Sequence, residues 1–115
     1  MSGTMERILR LMAEKGASDC YLSAHMPVLI KLNGQVVQLS DQSLTPQQPL
    51  QLISELLQQK DIDELNAAGE LNMAVSIPRV GSFRLSGFRQ RGSIAAVFCH
   101  ISHTIPAMET LKLPA

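Results

Sequence analysis

Four arginines, Arg79, Arg84, Arg89 and Arg91, fall within one short stretch and make the only dense basic cluster of the chain. A guanidinium group offers a planar fork of donors that matches phosphate oxygens bidentately, so such a cluster is equipped to recognise an anion. It would serve equally as a solvated strand edge, because charged side chains blunt exposed edges. Composition alone favours that simpler reading. A platform for single-stranded nucleic acid would add stacking aromatics to the arginines. Phe83 and Phe88 are the local candidates, beside Arg84 and Arg91. Ten acidic and ten basic residues leave no net charge, which counts against bulk binding to nucleic acid or a membrane surface.

The remaining reactive residue types point less clearly to chemistry. His100 and His103 stand beside Cys99, but residues three apart on a strand face opposite ways and do not converge on one metal ion. The paired ligands of a zinc ribbon are missing. His25 reads as an isolated turn histidine. No Gly-x-Ser-x-Gly elbow presents a nucleophile. Asp61, Asp63 and Glu64 read as helix-start carboxylates that favour the helix dipole. Met5, Met12 and Met73 sit at core spacing. No Gly-x-x-x-x-Gly-Lys-Ser/Thr loop occurs in the 115 residues, so nothing in them cradles a nucleotide's phosphates. The two cysteines, Cys20 and Cys99, lie in strand-like segments. With no export signal visible, free thiols are expected rather than a disulfide.

The elements that must position these residues can be read from periodicity. The length fits one domain with a real core. With three Phe, one Tyr and no Trp, that core must be aliphatic and methionine-rich. Met5, Ile8, Leu9 and Met12 form a helical stripe, which predicts a helix from about Thr4 to Lys15 stopped at Gly16. No signal peptide is read in this segment, because Arg7, Arg10 and Glu14 interrupt it. Nor does any apolar run reach the roughly 20 residues that span a bilayer.

Cys20 and Leu22 alternate within Asp19–Ser23, and Val28, Ile30 and Leu32 alternate after the Met26-Pro27 break. Asn33-Gly34 predicts a hairpin, with Val36, Val37 and Leu39 on the return strand. Thr45-Pro46-Gln47-Gln48 reads as a helix start with Thr45 as cap, continued by Leu52, Ile53, Leu56 and Leu57. A shorter helix is expected around Asp61–Ala68, with Ile62 and Leu65 inward and Gly69 at its end.

Leu71, Met73, Val75 and Ile77 then alternate as a half-buried strand, and Pro78–Gly81 turns the chain. In the next strand, Ser82–Arg89, Phe83 and Leu85 share one face and Phe88 takes the other. Gly87 marks a bulge or a close approach. Ser93–Ile101 is apolar on both faces, which predicts a central strand covered on both sides. The order predicts an α+β domain with a mainly antiparallel sheet of about six strands, an N-terminal helix and two central helices.

Several segments together resemble the amino-terminal part of type IV pilus retraction ATPases of the PilT/PilU type, within the secretion ATPase superfamily. They are Leu9–Asp19, Met26-Pro27, Ile30–Gly34, Leu44–Pro46, Val80–Phe88, Gln90–Gly92, Ile105-Pro106, Met108-Glu109 and Leu111–Pro114, in the family's order along nearly the whole chain. The resemblance implies a PAS-like domain over residues 1–104 and the start of a linker over 105–115, leading to a RecA-like ATPase domain. It implies a homo-hexamer in which this domain packs on the neighbouring subunit's ATPase domain, with ATP and magnesium held by the full-length protein and no cofactor in this fragment.

It also implies a cytoplasmic position, peripheral to the bacterial inner membrane through the pilus machinery, with no nucleic-acid partner. By the same resemblance Arg84 and Arg91, and less directly Arg89, are the arginines that reach a nucleotide. Cys99 departs from the pattern, because related sequences often place an arginine there. The fragment itself is expected to lack ATPase activity. The rival reading is a free-standing PAS-like module that senses a ligand or binds a protein.

Overall fold

The apolar stripe at Met5, Ile8, Leu9 and Met12 is buried, and it lies on helix α1 (Thr4–Lys15) of a computed structural model that describes residues 3–101. Gly16 takes φ 75° and its N–H donates to the Ala13 carbonyl, while Ala17 N–H donates to the Met12 carbonyl. That reciprocal pair satisfies carbonyls the helix leaves open, and buried Ala17 seals it. At the other end, Glu55 accepts the Met5 N–H at 2.8 Å from fifty residues away. Gly3 leaves room for that carboxylate, since a Cβ there would collide with Glu55 Oε1.

Strands β1 (Asp19–Leu22), β2 (Leu29–Leu32) and β3 (Gln35–Gln38) form one antiparallel meander. Asn33 and Gly34 both take positive φ, as a two-residue hairpin turn requires. Strands β4 (Glu70–Ile77), β5 (Gly81–Gln90) and β6 (Ser93–Ile101) form a second antiparallel meander. Antiparallel pairing of β1 with β6 joins them into a six-stranded sheet ordered β3-β2-β1-β6-β5-β4. The expected α+β architecture, six antiparallel strands with one N-terminal and two central helices, is the one observed.

The central helices differ from expectation in their limits. Helix α2 (Gln48–Ser54) begins later than the Thr45 cap implied, with Gln47 as its N-cap and Pro49 in its first turn. The Thr45–Gln48 segment is a closed turn instead, in which Thr45 N–H donates to the Gln48 side chain and Gln48 N–H to the Thr45 carbonyl. Pro49 lacks an N–H and is tolerated only in a first turn, so the ladder starts around it. Leu56 and Leu57 follow the helix rather than continue it. Helix α3 (Gln59–Ala68) starts before Asp61, because Gln58 and Asp61 form a reciprocal capping box that reading from apolar spacing overlooks.

All three helices lie on one face of the sheet. Side chains from alternate strand positions, including Cys20, Leu22, Ile30, Leu71, Phe83, Leu85, Ala96 and Phe98, are buried beneath them. Gly87 is the close approach rather than a bulge: β5 keeps unbroken register on both sides, and a Cβ there would touch Ile53 of α2 and Leu65 of α3 at 3.7 and 3.8 Å. Strand β6 is central, as expected, but the expectation of cover on both sides fails among the described residues. Val97, Cys99 and Ile101 point away from the helices and are half-buried. Ala95 on the same face is buried, yet no described element packs over this side, so its apolar character lies on a surface open among the described residues.

Candidate functional site

The open face is built by cross-strand register. One row runs across all six strands as Val36, Lys31, Asp19, Cys99, Arg84 and Ala74. The neighbouring row carries Leu29, Tyr21, Val97 and Ser86, and beyond it Phe88 lies against Ala95. An apolar strip (Leu29, Tyr21, Val97, Phe88) therefore runs beside a row that bears Lys31, Asp19 and Arg84. Phe88 is 36% exposed and Arg84 is exposed as well, so both apolar and charged groups are within reach of a partner surface.

Electrostatics within the charged row leave Arg84 available. Asp19 accepts from Ser18 Oγ at 2.6 Å and from the Cys99 thiol at 3.5 Å. Arg84 is exposed and has no ion pair among the described residues. Burial, the hydrogen bond to Asp19 and that carboxylate's charge push the Cys99 thiol above its ordinary range, against the opposing pull of Arg84. Cys99 is therefore a protonated donor that occupies Asp19 on one side, while on the other Arg84 has no ion pair among the described residues.

The sequence cluster of arginines does not become a cluster in space. Arg84 and Arg89 are five positions apart on an unbroken strand, so their side chains leave opposite faces. Arg89 turns to the helix side, where its Nη2 donates to the Asn66 carbonyl at 2.8 Å near the C-terminal end of α3. A cation there satisfies an open carbonyl and complements the helix dipole. Arg91 sits in the β5–β6 turn at φ 52° and Arg79 in the β4–β5 turn at φ 67°, at opposite ends of β5. At about 3.3 Å per residue, Arg84 and Arg91 are roughly 20 Å apart along the strand.

Arg91 has different neighbours from those its sequence position suggests. Because β1 pairs with β6, the turn containing Ser23, His25 and Met26 approaches it, and together with Gln90 and Ser93 they line a cavity of about 450 Å³. No spacing rule would have found His25 beside Arg91, since only the tertiary pairing brings them together. His100 stacks on Phe83 with ring centroids 4.9 Å apart, at the margin of the helix-covered core. His103, the other member of the metal reading, lies outside the described residues, as does the expected linker at 105–115. Among the described residues no group of three or more His, Cys, Asp or Glu converges on a metal position.

Both cysteines are free, and they leave opposite faces of the sheet. Cys20 is buried in the core, where burial pushes its thiol up to about 12. An apolar groove of about 600 Å³ also opens between α1 and the 39–48 connection, with Ile8, Leu11, Val28 and Leu39 in its wall. Among the described residues no helix is long and apolar enough to cross a membrane.

Comparison with known proteins agrees with this architecture. The chain is 36% identical over 109 residues to the type IV pilus ATPase PilU of Pseudomonas aeruginosa, covering 95% of this chain and 28% of PilU. It is 31% identical over 106 residues to the type IV pilus retraction ATPase PilT of the same organism, covering 92% of this chain and 31% of PilT. A crystal structure of the pilus retraction motor PilT with bound ADP superposes with a TM-score of 0.83 at 31% identity, over 99% of this chain and 33% of that one. No protein-family model matches the chain. In sequence and fold the chain thus matches the N-terminal region of PilT/PilU-type ATPases. The chain spans about a third or less of the length of each relative.

Proposed function

We propose that the chain is the N-terminal domain of a type IV pilus retraction motor and that its open sheet face packs against the ATPase domain of a neighbouring subunit. The observation that carries this reading is the open face itself. An apolar strip lies beside a row bearing Lys31, Asp19 and an Arg84 without an ion pair among the described residues, within a chain similar to PilU and PilT over more than nine-tenths of its own length. Such a face has the makeup of a subunit contact, with apolar area for affinity and charges for register.

In this reading the parent protein is a hexamer that holds ATP and magnesium in its ATPase domain and works at the cytoplasmic side of the pilus inner-membrane machinery. Arg84 reaches the nucleotide edge of the neighbouring domain. Its guanidinium stabilises phosphate charge there, as an arginine supplied in trans does in other phosphoryl-transfer sites. Arg91 approaches from the end of the sheet, about 20 Å away, and so contacts a different part of the interface. Arg89 contributes indirectly by fixing α3. The 115 residues carry no phosphate-binding loop and do not hydrolyse ATP alone.

The test has two stages. The reading frame beyond Ala115 should encode Gly-x-x-x-x-Gly-Lys-Ser/Thr within a few dozen residues. In that longer protein, Arg84→Ala should lower kcat/KM for ATP by a factor on the order of a hundred, with little change in the melting temperature of this domain. A full-length protein whose ATPase ignores Arg84→Ala would remove the arginine's role. A reading frame ending at Ala115 would leave a free-standing module, with ligand sensing in the groove beside α1 as the reading to test next.

A further inference from the structure

The sheet has two edges, and they are protected very differently. At one edge, Leu39 N–H donates to the Val28 carbonyl, which sets the hydrogen-bond phase of β3. In that phase only Val36 and Gln38 turn their N–H and C=O outward within the short strand. Brevity limits what this edge can recruit.

The other edge is longer and less guarded. Arg89 N–H donates to the Gly69 carbonyl, so Gly69, Leu71, Met73, Val75 and Ile77 face β5 with their backbone groups. Glu70, Asn72, Ala74 and Ser76 therefore present their N–H and C=O outward. Among the described residues, no other element's backbone bonds to these groups. Strand β4 holds no Lys, Arg or Pro, its register with β5 has no bulge, and Glu70 is its single charge. The usual devices that stop strand addition are absent along eight residues.

We propose that the β4 edge pairs antiparallel with β4 of a second copy of this chain about a two-fold axis at Met73, joining two sheets into one. This inference does not depend on the motor reading, since it rests on the edge alone. The register follows from the phase. Glu70 faces Ser76 of the second copy and Asn72 faces its Ala74, so every outward donor and acceptor of both strands finds a partner. On the helix side Leu71 meets Val75 and Met73 meets Met73, which extends the apolar face across the seam. Glu70 lies opposite a serine, and the two Glu70 carboxylates stand roughly 20 Å apart at opposite ends of the pair. The edge is thus self-complementary in hydrogen bonding, shape and charge, as a symmetric contact requires.

The 115-residue chain has its own core, drawn from both meanders and all three helices, so it can be tested directly. Sedimentation across a concentration series should show a monomer–dimer equilibrium. Ala74→Pro deletes an outward N–H and leaves the bonds to β5 in place, and it should raise the dimer Kd by about tenfold or more. Ala74→Lys, which keeps the backbone donor, should weaken the dimer similarly by bringing two cations close across the seam. Met73→Cys should give a disulfide-linked dimer under mild oxidation, since facing Cα atoms of a non-hydrogen-bonded pair lie within bridging distance. A chain that stays monomeric throughout overturns the proposal. So does a dimer that tolerates both Ala74 variants, or one that fails to cross-link through Cys at position 73.

Discussion

The two faces of this sheet are made by the same strands and obey opposite rules. On the helix side, Phe83, Leu85, Phe98, Cys20 and Leu22 are sealed under three helices, and the missing side chain at Gly87 lets Ile53 and Leu65 approach the sheet. On the other side, Tyr21, Val97, Cys99 and Phe88 are apolar or nearly so, yet no described element covers them. Apolar area that contributes nothing to this chain's own core is a sign of a surface meant for something else. The covered face explains why the chain folds. The open face explains what it can meet.

The largest effect that sharpens this contrast is on stability. Phe83→Ala should cost about 3–5 kcal/mol, measured by urea unfolding, because the ring is fully buried. Val97→Ala, on the neighbouring strand but on the open face, should cost under about 1 kcal/mol because little packing is lost. Equal losses at the two positions would mean that something among residues outside those described covers the open face.

A second effect tests the burial of Cys20 through pH. The Cys20 thiol ordinarily titrates at 9.0 and is pushed up to about 12 in the fold, so above pH 9 the unfolded chain loses this proton and the native chain keeps it. The native state then binds more protons, and stability must fall as pH rises from about 9 toward about 12, by about 1.4 kcal/mol per pH unit at most from this group. Cys20→Ala should flatten that part of the profile relative to the parent chain. An unchanged slope would show that Cys20 is not sealed in the core.

Much of the fold was legible because its signals are local. Met5, Ile8, Leu9 and Met12 specify α1, Gly16 its end, Asn33-Gly34 the first hairpin, and the Leu71–Ile77 alternation β4. The limits of α2 and α3 were less legible, because Pro49 and the Gln58–Asp61 box act through backbone geometry that apolar spacing does not record. The site was legible only in its parts. Sequence placed Arg84, Arg89 and Arg91 within eight residues, but strand parity sends Arg84 and Arg89 to opposite faces and the turn carries Arg91 to the sheet's end. The β1–β6 pairing puts Asp19 beside Cys99 and His25 near Arg91, and no spacing along the chain foretells either. The apolar character of Ser93–Ile101 is legible, but no described element covers its outward face, and a sequence does not distinguish a face buried within one chain from a face left open.

The claim that the open face is a subunit contact is tested most directly at Cys99, which lies at the centre of that face. Thiol labelling should be followed at one pH in the 115-residue chain and in the assembled parent protein, with buried Cys20 as the internal reference. The account predicts that Cys99 labels in the isolated chain while Cys20 does not, and that assembly slows Cys99 labelling by at least about tenfold. Cys99 labelling at the same rate in both would contradict it, and would mean that the open face remains open in the working protein.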